Sequence, residues 1–259
     1  MKRLNITIFI TLAVALSGYC QRAEIAPLLQ TAWGQGAPYN LQCPKKGGMY
    51  CQTGCVATAM AQIMYYHRCP ATGFDWNNMQ LTYTGNETDV QQQAVAKLMA
   101  DCGKAVDMQY GVGSSSAFAM DAAEAFSRDF GYKETSGELY RMDYSDEEWE
   151  ELIYNELAAG RPVLYSGSPR GYFHQFVCDG YKDGKFHFNM AWHMVADGYY
   201  ALTQEDFDKF CPSYSQTAVL QIQPNATGIK KITPSLWGRV GERLEVYRLA
   251  NLCLYKVKY

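Results

Sequence analysis

The sequence predicts an α+β fold, with helices in the first part of the chain and an antiparallel sheet after them. Helical periodicity dominates up to about residue 158, with apolar residues recurring three and four apart. Beyond Gly160 the pattern changes to short β-branched and aromatic runs, most of them separated by Gly-containing turns. Helices first and strands second is the α+β order, not an alternating α/β one.

The elements follow in chain order. Residues 31–53 are rich in Gly, Pro and Cys and read as loop. A helix begins near residue 54, where Val56, Ala59, Met60, Ile63, Met64 and His67 form one continuous face, and Pro70 marks its end. Residues 89–102 carry a second helical pattern on Val90, Ala94, Val95, Leu98 and Met99. The Gly111–Ser116 loop follows, and Ser115 or Ser116 is placed to cap a helix over about 117–130. Ser145-Asp-Glu-Glu148 resembles a capping box before a helix over 146–158, which Gly160 stops. The runs 162–165, 174–178, 185–189, 198–202 and 217–222 then read as a meandering sheet. Residues 224–259 form a tail with two further strand-like stretches, around 244–247 and 252–257.

Composition limits what such a chain does. Of 259 residues, 48% are hydrophobic and 19% charged, enough for a sizeable core. Lys and Arg total 23 against 26 Asp and Glu, for a net charge of −3, and no basic patch marks a nucleic-acid binder. No internal repeat of fixed period is visible.

Residues 1–20 have the layout of a secretory signal: a basic start at Lys2 and Arg3, an apolar Leu4–Leu16, and small Ser17 and Gly18. The apolar run is shorter than a membrane span. Cys20 ends it in a sequence resembling a bacterial lipoprotein signal, although Tyr19 stands where a small residue is usual. The mature chain is therefore expected at the cell surface, in the periplasm or outside the cell, touching a membrane only if lipidated at Cys20. Export places the other eight cysteines where disulfides are allowed, Cys43 with Cys51 and Cys51 with Cys69 among the possible pairs.

One cysteine stands out for chemistry. Gly54-Cys55 opens the first helix, where the positive end of the dipole is expected to lower a thiol pKa. The alternative is a buried structural cysteine. A nucleophilic thiol needs a base, and the chain has 4 His. His67 lies about 18 Å along the same helix, too far to serve. His187 alternates with Phe186 and Phe188 and reads as structural, while His193 falls in a loop. His174 opens an apolar strand after a Gly/Pro loop, a suitable mouth for a general base. If 174–178 and 185–189 form a hairpin in which 178 faces 185, Asn189 lies opposite His174 and its amide oxygen accepts from the ring. Asp179 is the charged alternative, at the turn end. For the oxyanion of acyl transfer, the Cys55 backbone N–H and the Gln35 side chain are the candidate donors.

These segments resemble a known family. Trp33-Gly-Gln-Gly-Ala-Pro-Tyr-Asn40, Gly54-Cys-Val-Ala-Thr-Ala-Met-Ala-Gln-Ile-Met-Tyr-Tyr-His67, Phe186-His-Phe-Asn189 and Asp197-Gly-Tyr-Tyr200 are similar to the streptopain family of bacterial cysteine peptidases, over about residues 27–223. The resemblance implies a papain-like fold, with a helical half carrying the nucleophile helix and facing an antiparallel β-sheet half across a cleft. It implies Cys55 as nucleophile, His174 as general base, Asn189 as its orienter and Gln35 as oxyanion donor. It also implies no cofactor and protein or peptide substrates, often with a hydrophobic residue two before the scissile bond. The chain then divides into a signal segment (1–20), a peptidase domain (21–223) and a C-terminal tail (224–259).

Three departures from the family pattern matter. Gly171-Tyr-Phe-His-Gln-Phe176 stands where Gly-Gly-His-Ala-Phe is usual, and Asn189-Met-Ala-Trp-His-Met194 where Asn-Trp-Gly-Trp-Gly-Gly is usual. Met190 thus replaces a Trp expected to shield the His–Asn bond, and Ala191, His193 and Met194 replace glycines expected to give substrate room. About a dozen residues separate Cys20 from Trp33, where the family usually has an inhibitory propeptide, so the enzyme is expected either to be made active or to be restrained by something else, such as a separate protein inhibitor or slow folding. The competing function is a catalytically weakened or inactive relative that binds peptides or proteins.

Overall fold

The computed structural model describes residues 22–168, 173–202 and 215–225. The signal segment, the tail strands and Cys20, Cys211 and Cys253 lie outside the described residues. In chain order come a small hairpin, β1 (Lys45–Lys46) and β2 (Met49–Tyr50), then α1 (Cys55–His67), α2 (Asp89–Ala105) and α3 (Ala119–Asp129). Next are β3 (Glu138–Tyr140), α4 (Asp146–Ala158), β4 (Val163–Gly167), β5 (His174–Lys182), β6 (Lys185–Asn189), β7 (Gly198–Tyr200) and β8 (Thr217–Val219).

Local chemistry explains the helix ends. Ser145 and Glu148 exchange side-chain-to-backbone bonds at the start of α4, and Thr88 and Gln91 do the same for α2. Arg68 takes a left-handed conformation (φ 51°) that turns the chain out of α1 ahead of Pro70. The α3 start differs from expectation. Its first flanking residue is Phe118, without a side-chain cap. Ser115 is occupied elsewhere, donating to the Gln52 carbonyl and accepting from the Gly111 N–H.

Six strands form an all-antiparallel sheet in the order β3-β8-β4-β5-β6-β7. The meander holds from β4 to β7. The last strand instead crosses back and inserts between β3 and β4.

The sheet is buried on both faces, and its alternation sorts the side chains. Leu164, Val177 and Val219 join the core with α1, α2 and α3. Val163, Tyr165, Phe176, Cys178, Phe188 and Ala218 join a second core with Trp149, Ile153 and Leu157 of α4. Because α1 is wedged between α2, α3 and the sheet, it is buried on every side from Val56 to Tyr65, not along one face. A truncation inside it, such as Ile63→Ala, would cost roughly 2–5 kcal/mol.

Cys43, Cys51, Cys55, Cys69, Cys102 and Cys178 are all free thiols.

Candidate active site

Cys55 is set by the turn before it. Gly54 has φ 86° and ψ 144°, a region essentially restricted to glycine. Space makes the same demand, since a Cβ there would lie 2.6 Å from Met108 Sδ and 3.3 Å from Ser115 Cβ. Thr58 Oγ1 donates back to the Gly54 carbonyl at 2.9 Å. Its proton is then committed, so Thr53 donates in the 2.8 Å hydroxyl pair between them. The Thr53 N–H donates to the Gln35 carbonyl at 3.0 Å, tying the 33–36 loop to the turn before Cys55. The Gln35 amide is half-buried and makes no hydrogen bond among the described residues.

The Cys55 thiol lies against the N-terminal end of β5. Burial pushes its pKa up, and bonds from the N–H groups of Gln175, Val56 and Cys55 itself only partly oppose this. The expected lowering by the helix N-terminus is therefore outweighed by desolvation. Gln175 directly follows His174, so the strand that carries the imidazole runs beside the start of α1.

His174 is buried, and burial lowers its pKa to about 4, with a hydrogen bond to the Met190 carbonyl opposing. Its Nε2 is 2.7 Å from that carbonyl oxygen. A carbonyl only accepts, so Nε2 carries the proton and Nδ1 keeps its lone pair. The Trp192 ring stacks on the imidazole, centroids 4.1 Å apart and planes 23° from parallel.

The expected Asn189–His174 bond is absent among the described residues. Asn189 pairs with Val177, not with His174. The hairpin turn is the tight Asp183-Gly184 pair, with φ 49° and 78°, so β5 runs on to Lys182. A bulge between Cys178 and Gly180 then shifts the register. Asn189 is committed elsewhere: its Oδ1 accepts from Gln62 Nε2 (3.0 Å) and the Ala191 N–H (3.1 Å), and its Nδ2 donates to the Thr31 carbonyl (2.7 Å). Thr31 Oγ1 closes the ring by donating to Gln62 Oε1 at 2.7 Å. Asp179, the alternative partner, is fully buried at the bulge and accepts from Leu29 N–H and, at 2.6 Å, from His187 Nδ1. Its carboxyl is pushed up by burial and pulled back by His187.

Comparison with known proteins settles the lineage. A model of the Peptidase C10 family matches residues 33–74 and 71–200.

The chain belongs to the peptidase C10 family.

Among C10 relatives, streptopain of Streptococcus pyogenes is 37% identical over 211 residues, covering 66% of this chain and 53% of streptopain. The chain thus spans about half the length of that relative. The thiol protease/hemagglutinin PrtT of Porphyromonas gingivalis is 32% identical over 214 residues, 70% of this chain and 25% of PrtT. The structure of active interpain A cysteine protease from Prevotella intermedia superposes with a TM-score of 0.69 at 33% identity, over 77% of this chain and 95% of interpain A. The prointerpain A fragment gives a TM-score of 0.67 at 32% identity, over 78% and 73%. The papain-like α+β architecture is that of these C10 structures.

The glycines that the resemblance leads one to expect at 191, 193 and 194 would have a backbone reason here. Ala191, His193 and Met194 all have positive φ, 57°, 54° and 67°. Glycine takes that conformation without strain, whereas other residues pay about 1–2 kcal/mol each. Trp192 was missed by sequence reasoning as the neighbour of His174. The signal was available, since a register counted from the Asp183-Gly184 turn carries His174 beyond Asn189 towards Trp192.

Proposed function

We propose that the protein is an exported cysteine endopeptidase that cleaves polypeptides through Cys55 and His174. One observation carries this reading: Cys55 opens buried α1, which packs on β5, the strand that begins with His174, whose Nδ1 is left free. The resting pair is a thiol and a neutral imidazole. As Sγ attacks the scissile carbonyl, Nδ1 takes the thiol proton and later delivers it to the leaving amine, forming a thioester. His174 then activates water to hydrolyse that thioester. Gln35 and the Cys55 N–H donate to the oxyanion. The Met190 carbonyl fixes the tautomer, the role first expected of Asn189. Asn189 instead holds Thr31 and Gln62 together behind the site.

Residues 1–20 serve in this proposal as the export signal, 21–223 as the peptidase domain and 224–259 as a tail. Lipidation at Cys20 would anchor the protein, and a separate protein inhibitor would restrain it. Among the described residues no helix is long and apolar enough to cross a membrane.

The test is casein hydrolysis by residues 21–259 beside Cys55→Ala, with and without E-64. Thiol-dependent cleavage that disappears in the variant supports the peptidase. Folded wild-type protein that neither cleaves casein nor is labelled by E-64 overturns it and leaves a peptide-binding relative.

A further inference from the structure

Two loops border Cys55. The 108–116 loop packs behind Gly54 through Met108 and Ser115. The 190–197 loop leaves the end of β6, covers His174 with Trp192 and reaches the 33–36 loop with His193. That second loop carries two bulky residues, His193 and Met194, where the family resemblance leads one to expect glycine.

His193 is held at two points. Its N–H donates to the Trp33 carbonyl at 3.2 Å, and its ring centroid lies 5.4 Å from that of Tyr39. Its ring also occupies the space over Gly34. A Cβ on Gly34 would fall 2.1 Å from Nε2, 2.4 Å from Cδ2 and 2.6 Å from Cε1. Gly34 has no positive φ that would itself require glycine, so the imidazole accounts for its lack of a side chain. The residue is nonetheless exposed, and its ring has no hydrogen-bond partner among the described residues. An exposed ring that follows Trp192 in the chain, lies over Gly34 and so borders the loop carrying Gln35 forms part of the cleft rim.

Chemistry says which part. The imidazole that takes the thiol proton must return it to the leaving amine, so the leaving half of the substrate passes the His174 side of the cleft. The loop stacked on His174 borders that half.

We propose that His193 is a specificity-determining residue that walls the leaving-group side of the cleft and selects polypeptides with a small residue, Gly, Ala or Ser, directly after the scissile bond. This rests on the peptidase reading above. A glycine at 193 leaves that volume empty, whereas an imidazole fills it and meets a Leu or Phe side chain.

The test uses internally quenched peptides with one common acyl side and Ala, Leu or Phe as the first leaving residue. Wild-type protein is compared with His193→Gly, which also suits the positive φ, and with His193→Ala, folding of each being confirmed by thermal melting. Wild type should favour Ala over Leu by roughly tenfold or more in kcat/KM, the scale on which a pocket discriminates a few methylenes. His193→Gly and His193→Ala should each cut that ratio to about threefold or less through a gain on the Leu and Phe peptides. The ratio between peptides differing only on the acyl side should not move. Equal wild-type rates on Ala and Leu peptides, or a ratio unmoved in both variants, overturns the assignment while E-64 labelling and cleavage keep the peptidase reading. Folded proteins that E-64 fails to label and that cut no peptide overturn both.

Discussion

Gln62 Nε2 donates to Asn189 Oδ1 across 3.0 Å, bonding the middle of α1 to the last residue of β6. With Thr31 this makes a closed, buried amide–hydroxyl ring that joins the N-terminal segment, α1 and the sheet.

Asn189→Ala should therefore act first on stability. It strands the Gln62 amide, the Thr31 carbonyl and the Ala191 N–H, for a loss of about 2–4 kcal/mol. Urea unfolding of Asn189→Ala, Gln62→Ala and the double variant checks this. The double variant should lose much less than the sum of the singles. An Asn189→Ala protein as stable as wild type would return Asn189 to a purely catalytic role.

Trp192 keeps water from His174. Trp192→Ala should let the imidazole pKa climb from about 4 towards its ordinary value. The acid limb of kcat/KM should move to higher pH, with a loss of roughly tenfold or more at neutral pH from poorer positioning of the base. Trp192→Phe should restore most of both. A pH profile unmoved by Trp192→Ala would show that the stack does not control the base.

Acid should destabilise the fold through two histidines. His67 and His174 are each lowered to about 4 by burial. Between that value and the ordinary 6.5 the unfolded chain binds protons that the folded chain does not, so stability present above pH 6.5 is lost as pH falls towards 4. Each group accounts for up to about 3 kcal/mol of that loss. Melting temperature followed from pH 7 to pH 4, with His67→Gln as comparison, reads the slope, which should flatten in the variant.

Met194 is 64% exposed and holds φ 67°. Met194→Gly should raise stability slightly, by about 0.5 kcal/mol. Relief of left-handed strain then exceeds the added freedom of the unfolded chain. A lower melting temperature would show that the methionine side chain contributes packing that outweighs its strain.

Much of the scaffold was legible because its signals are local. Ser145 and Glu148 announced α4, and Gly54-Cys55 with the following apolar residues announced α1. The geometry around His174 was not. A hairpin register depends on where the turn falls and on any bulge. Pairing Cys178 with Lys185 sets the hairpin register off the Asp183-Gly184 turn, and Asp179 in the bulge is signalled only by tertiary contacts with Leu29 and His187. For the same reason the role of Gln62 is not legible in the sequence, since a buried amide's partner 127 residues away leaves no periodic trace. Burial of the thiol also exceeded what a helix N-terminus alone suggests, because β5 closes over α1.

The return of β8 to a place between β3 and β4 has a temporal consequence. The strand at 217–219 must bridge partners at 138–140 and 164–166, so the sheet beneath His174 is complete only when nearly the whole described chain has assembled. Pairings of such long sequence separation are late and slow events in folding. A growing chain emerging from synthesis would hold Cys55 long before it held the completed sheet to which His174 belongs.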